Sequence, residues 1–257
     1  MRSYRLDDGR RVWCTSPAEA GQLWREMTAG DGYYRQAAER LRPGDTVLDI
    51  GANIGLASLA FAGAQPQAHI TAVEPVPALF DCLERNLTEQ APNARALRVA
   101  VGAAPGTASM VYYPGAPANS SLYADREADD RLSRTFLRNS GIDEESTEVI
   151  VGDLHANGET IEVEVTTVSR LLRSGGLTEV ALLKIDVERA ERDVLAGIEQ
   201  EDWPKIGSVV AEVDNSAGDG LEAFCKQLHA QGFTTRVRQD ESLRGTDIHE
   251  VDAVREA

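Results

Sequence analysis

The run DTVLDIGANIG, from Asp45 to Gly55, limits the folds open to this chain more than any other stretch. Pro43-Gly44 signals a turn ahead of it. Val47, Leu48 and Ile50 form a short apolar run, as expected of a strand buried on both faces. Gly51 ends that strand, and Ile54 to Phe61 has the character of a helix. Strand, glycine turn and helix leave free backbone N–H groups at the strand's carboxyl end, where open α/β sheets bind ligands. Asp49 sets this loop apart from an ordinary dinucleotide loop. A carboxylate ahead of the glycines repels a pyrophosphate and attracts an ammonium or a sulfonium.

The alternation continues downstream. His69 to Glu74 forms a second strand, stopped by Pro75 and Pro77. Leu79, Leu83 and Leu87 recur at helical spacing, and Arg95 to Val101 makes a third strand. Strand and helix in this order imply a parallel sheet. Residues 103–160 break the rhythm: an edge strand at Thr107–Tyr113, a loop at Pro114–Leu122 and a charged helix at Arg126–Asn139. A long irregular stretch inside a compact domain marks an inserted lid. Strands resume at Ile161–Val168, Val180–Asp186 and Ile206–Val213, with helices at Glu188–Ile198 and around Leu221–Leu228. Phe233–Arg238 and Ile248–Val254 form a final strand pair. Upstream, Tyr4–Val12 suits a hairpin turning at Asp8-Gly9, Ala18–Met27 a helix capped by Ser16, and Tyr33–Leu41 a second helix. This segment either covers a ligand or only packs on the sheet, and packing is the simpler reading. The expected organisation is an N-terminal cap over 1–42 and one α/β domain over 43–257, with the lid at about 103–160.

A chain of 257 residues with 42% hydrophobic residues is large enough for a sizeable core. Its net charge of −16 argues against nucleic acid or an anionic membrane as partner, since both select basic surfaces. Cys14, Cys82 and Cys225 are too few and too scattered for a disulfide framework or zinc cluster. No apolar signal region or bilayer-length run occurs, so a cytoplasmic location is expected.

Acidic residues end the strands: Asp49, Glu74, Asp186, and Glu212 with Asp214. Strand ends on one edge of a parallel sheet face a common crevice, so these acids make a negative pocket suited to a cationic ligand. A carboxylate at the second strand's end, here Glu74, accepts both hydroxyls of a ribose; its structural alternative is capping the helix after Pro75. Asp186 follows an apolar run and Lys184, and a buried carboxylate needs a partner. Glu188 and Glu191 suit either a helix N-terminus or a site.

Together, VLDIGANIG at 47–55, Glu74-Pro75 and LKIDVERAE at 183–191 resemble the FkbM family of S-adenosylmethionine-dependent methyltransferases, over about Leu41 to Val213. Trp203-Pro204 and LRGT at 243–246 resemble members encoded with polyketide and nonribosomal-peptide synthases. Two positions depart from the usual pattern: Arg189 stands where glycine is usual, and Asp214 where histidine is common. The resemblance implies the Rossmann-like class I methyltransferase fold, with a seven-stranded, mostly parallel sheet and helices on both faces. It implies S-adenosylmethionine as cofactor, with Asp49, Gly51, Ala52, Asn53 and Gly55 around its methionine end. Glu74 and Pro75 then hold the ribose, and Ala100 and Val101 flank the adenine. Asn119, Ser120 and Ser121 lie over the site.

Methyl transfer to an alcohol needs the oxygen partly deprotonated, by a positioned base or a metal. Asp186 is the first candidate for base, and His155, carried in by the lid, is a second. Asp186, Glu212 and Asp214 offer hard oxygen ligands for Mg2+. The expected reaction is O-methylation of a secondary metabolite, free or carrier-bound. The alternatives are N-methylation and, from another enzyme class, a nicotinamide oxidoreductase; the spacing Gly51 to Gly55 lacks the dinucleotide fingerprint. Arg131, Arg134 and Arg138 share one helix face, which is either internally paired or a docking patch for an acidic carrier protein.

Overall fold

The computed structural model describes residues 1–30, 32–216 and 218–255. At its centre is a seven-stranded sheet. In chain order its strands are β3 (Thr46–Ile50), β4 (His69–Val73), β5 (Ala94–Leu97), β9 (Leu182–Ile185), β10 (Ser208–Asp214), β11 (Phe233–Arg238) and β12 (Ile248–Arg255). Their spatial order is β11-β12-β10-β9-β3-β4-β5. Only β12 runs antiparallel to its neighbours in this sheet. The order reverses between β3 and β9, which opens the crevice beside Gly51.

The side-chain period of two along each strand distributes the core. Val47, Leu182 and Val210 face the helices α1 (Pro17–Thr28), α2 (Tyr33–Glu39), α3 (Leu56–Ala64) and α4 (Pro77–Gln90). Leu48, Ile50, Leu183, Ile185 and Ala211 face α7 (Val168–Gly175), α8 (Glu191–Ala196) and α9 (Gly220–Ala230). Apolar cover on both faces explains why these strands are near-continuous hydrophobic runs. It also means that a polar residue inside one of them must find a partner.

The N-terminal hairpin forms as expected, from β1 (Arg2–Arg5) and β2 (Arg11–Cys14), with Gly9 at φ +88°. Ser16 caps α1 by accepting from the backbone N–H of Glu19. The expected third strand splits in two. β5 stays in the large sheet, whereas β6 (Ala100–Val101) pairs with β8 (Glu159–Thr166) in a separate three-stranded sheet completed by β7 (Gly106–Tyr112). The segment between β7 and β8 holds the expected charged helix, α5 (Arg126–Asn139), and an unexpected one, α6 (Glu144–Leu154). Glu188 is not helical: Glu188 and Arg189 both lie in the left-handed region, at φ +51° and +73°, and α8 begins only at Glu191. Two consecutive non-glycine residues there carry strain on the order of 1–3 kcal/mol each, which surrounding contacts must offset. Cys14 and Cys82 are buried, Cys225 is half-buried, and all three are free. No helix among the described residues is long and apolar enough to cross a membrane.

Candidate active site

A cavity of about 440 Å³ opens at the carboxyl edge of the sheet, above the switch between β3 and β9. Its floor is the turn after β3. Gly51 adopts φ +72°, and a Cβ there would fall 1.7 Å from the backbone oxygen of Asp186, so only glycine fits. Gly55 at φ +90° starts α3, and Asn53 is held at φ +50°. Gly51, Ala52, Asn53, Glu74, Pro75, Ala100 and Val101 all line the cavity.

Glu74 is buried, and each of its oxygens accepts one backbone N–H: Oε2 from Asn53 at 2.9 Å and Oε1 from Val76 at 2.9 Å. A carboxylate oxygen has two lone pairs, so acceptor capacity remains on both. Burial pushes the Glu74 pKa up to about 7, against the opposing pull of those two N–H groups. The side-chain oxygen of Asn53 is buried without a protein partner.

Asp49 is corrected. It is fully buried and does not line the cavity. It stands directly across from Lys184 on the neighbouring strand, 3.1 Å from the ammonium, and accepts from the Ser58 hydroxyl at 2.6 Å. Lys184 is also buried; it donates to the Gly51 carbonyl at 2.8 Å and lies 3.3 Å from Asp186. Burial works against its charge, but Asp49 and Asp186 outweigh it and hold its pKa above the ordinary value. Lys184 thus ties the glycine turn to Asp186. The sequence signal was available: a lysine within four apolar residues has to be paired.

Asp186 lines the cavity and takes a second donor, the Tyr34 hydroxyl at 3.0 Å. The N-terminal segment therefore does more than pack. It supplies Tyr34 to Asp186, and Gln22, Leu23, Glu26 and Met27 of α1 line the cavity. Around Asp186 the acids gather. One carboxylate oxygen from each of Asp186, Glu188 and Glu212 lies within 4.8 Å of the others. Burial, then repulsion from Asp186, raises the Glu188 and Glu212 pKa values well above the ordinary carboxylate range. Burial and the same neighbour push Glu26 up to about 8.

Asp214 does not join this group, contrary to the sequence expectation. Its carboxylate is 2.9 Å from Nε of Arg189, while Glu188 takes its place beside Asp186 and Glu212. His155 is corrected too. It is buried outside the cavity wall, with Nδ1 2.7 Å from Asp130, Nε2 3.4 Å from the Asn119 oxygen, and its ring edge-on to Tyr113. Held on three sides within the insert, His155 ties its segments together and does not line the cavity. Asn119 and Ser120 line the cavity, whereas Ser121 is turned to the Glu188 carbonyl, to which its hydroxyl donates. The arginine stripe on α5 is largely paired: Arg134 with Glu148, and Arg138 with Glu144 and Glu148, all on α6. The missed helix is what neutralises it.

Part of the cavity wall is apolar, formed by Met27, Leu132, Phe136, Leu137, Ile150 and Leu243. One cavity therefore joins the glycine-turn floor and the Glu74 carboxylate to the acids Asp186, Glu188 and Glu212 and to an apolar chamber formed by those apolar side chains. A sheet of this order, with one antiparallel strand next to its edge and this floor, defines a class I methyltransferase. A family model described as the methyltransferase FkbM domain matches residues 49–236. The 31-O-demethyl-FK506 methyltransferase FkbM of Streptomyces tacrolimicus is 38% identical over 257 residues, covering 100% of this chain and 98% of its own length. Methyltransferase sdnD of Sordaria araneosa is 34% identical over 182 residues, 67% of each chain. AMB antimetabolite synthetase AmbE of Pseudomonas aeruginosa is 31% identical over 262 residues, 97% of this chain but 12% of that protein. The chain belongs to the FkbM methyltransferase family, and it is a methyltransferase.

Proposed function

We propose that this enzyme transfers the methyl group of S-adenosylmethionine to a hydroxyl of an apolar secondary metabolite of polyketide or peptide type. The observation that carries the reading is the joined cavity. Its floor suits the donor: Glu74 retains acceptor capacity for the two ribose hydroxyls, and the Asn53 oxygen is buried without a partner. Gly51, Ala52 and Asn53 would hold the methionine end, and Ala100 and Val101 would flank the adenine. Asp49 acts through Lys184, which fixes the Gly51 carbonyl. The apolar chamber would take the body of the acceptor. The name of the Streptomyces relative, an O-methylating enzyme of a natural product, supports oxygen as the acceptor atom.

When bound, the donor supplies an electrophilic methyl on a sulfonium, whose departure as a neutral thioether needs no acid. The protein's task is to orient the acceptor hydroxyl and take its proton. Asp186, pinned by Tyr34 and Lys184, is the fixed member of the group that does so. Glu188 and Glu212 beside it hold protons more tightly than ordinary carboxylates, which lowers the negative charge that would oppose an alkoxide forming next to Asp186. Segment 103–160 serves as a lid and segment 1–42 as a cap. A free acceptor is favoured over a carrier-bound one, because Glu144 and Glu148 cancel most of the arginine stripe that an acidic carrier would need.

Magnesium is a second reading for the same acids, since hard oxygen donors suit it and Asp186, Glu188 and Glu212 converge. The test is incubation with methyl-deuterated S-adenosylmethionine and a panel of hydroxylated polyketide and peptide intermediates, read by mass spectrometry with and without EDTA. Labelled product is expected. Its loss with EDTA and return with Mg2+ selects the metal reading, and no label in any acceptor rejects the substrate class.

A further inference from the structure

Arg189 stands in the left-handed region at φ +73°, directly after another left-handed residue, Glu188. Unlike most arginines it is largely buried, with 13% of its side chain exposed. Its guanidinium bridges two carboxylates from distant parts of the fold. Nη2 lies 2.6 Å from Asp129 in α5, and Nε lies 2.9 Å from Asp214 at the end of β10. Both acids are buried, at 2% and 6% side-chain exposure. Two further contacts join this region to the insert: the Ser121 hydroxyl donates to the Glu188 carbonyl in the turn, and the Tyr123 hydroxyl donates to Asp193 in α8 just after it.

Asp129 is one turn before Leu132 and Ser133 on α5, and Phe136 follows one turn later. These three line the chamber, so Asp129 fastens the same face of the helix that forms its wall. The other end of α5 is tied by Asn139, which donates to the carbonyls of Ser242 and Arg244. On its other side, Arg189 is flanked by Glu188 and Ala190, which both line the cavity.

We infer that Arg189 is a positioning residue for the methyl transfer. With Asp129 and Asp214 it forms a latch that sets the α5 wall over the sheet edge and aims Glu188 toward Asp186 and Glu212. The latch stabilises a turn that an arginine would otherwise leave, and a single guanidinium sets the shape of the acceptor chamber and the place of one of its acids. The donor floor, built from the turn after β3 and from Glu74, lies outside its reach. This rests on reading the apolar part of the cavity as the acceptor part.

The test uses the full chain with Arg189→Gly, Arg189→Lys and Asp129→Asn. Glycine relieves the backbone strain while removing the latch, so Arg189→Gly is expected to fold. Hydrogen exchange should speed at least tenfold in 126–139 and stay unchanged in β3 and β4. The dissociation constant for S-adenosylmethionine, by calorimetry, should stay within twofold. The KM for the acceptor found by mass spectrometry should rise at least tenfold. Asp129→Asn should reproduce the exchange and KM effects, and Arg189→Lys should restore part of each. Unchanged exchange in 126–139 overturns the latch whatever the reaction proves to be. Faster exchange with unaltered acceptor KM overturns the positioning role while leaving the proposed reaction standing.

Discussion

Replacing Glu74 by Gln tests the donor site through both its geometry and its charge. In the native protein each carboxylate oxygen accepts one backbone N–H and keeps a lone pair, which the proposed donor site gives to a ribose hydroxyl. Two charge-assisted hydrogen bonds of roughly 1.5–3 kcal/mol each are then at stake. The glutamine retains one acceptor oxygen, so about half is lost, a weakening of donor binding by tenfold or more at alkaline pH. Protonation matters as well, because burial pushes the Glu74 pKa up to about 7. The hydroxyls bind the ionised form, so the affinity of the native protein should rise with pH and level off above that value. Between pH 8 and pH 6 the ionised fraction falls from about nine-tenths to about one-tenth, a roughly tenfold loss of affinity. The glutamine variant lacks this step, so the gap between the two proteins should be wide at pH 8 and narrow at pH 6. Titration calorimetry with S-adenosylmethionine at both values measures it, and the ligand's own titration cancels in the ratio. Equal affinities at pH 8, or a gap independent of pH, would refute the assignment.

Asp186→Asn should keep donor affinity within a few-fold and lose most turnover in the labelled-methyl assay, because it removes charge with little change of volume; normal turnover would exclude Asp186 from proton transfer. Lys184→Met leaves Asp49 fully buried with only Ser58 as partner, and should cost about 3–5 kcal/mol in urea denaturation. Gly51→Ala should abolish donor binding or folding, since the added methyl meets the Asp186 carbonyl; a variant that binds the donor normally by calorimetry would show that the turn relaxes freely.

The sheet was legible because its signals are local. Apolar runs buried on two faces, closed by Gly51 or Pro75, announce β3 and β4 in sequence, and the final strand pair and the N-terminal hairpin follow from alternation and turn residues. The position of Glu74 on the cavity wall was readable for the same reason: its place after a buried strand is fixed by the strand itself. What failed depended on partners far along the chain. Nothing near Asp49 shows that Lys184 lies across from it and takes its charge. Nothing near Asp214 shows that Arg189 claims it, or that Glu188 replaces it beside Glu212. Acids after a strand usually begin a helix, so the left-handed turn at Glu188-Arg189 was hidden by the pattern it breaks. The helix α6 has only Thr147 and Val151 buried, too little apolar periodicity to stand out. Without it, the arginines of α5 had only their own helix to pair with, and the partners Glu144 and Glu148 stayed hidden.

The fate of the methyl carbon tests the whole account most directly. The enzyme, given S-adenosylmethionine carrying 13C in its methyl group and an acceptor that presents both a hydroxyl and an amine, should yield a product whose labelled carbon resonates as a methyl ether. A labelled N-methyl signal would contradict the assignment of oxygen as acceptor. Label remaining wholly in the donor, with donor and acceptor both bound, would contradict the mechanism built on Asp186 and its neighbours.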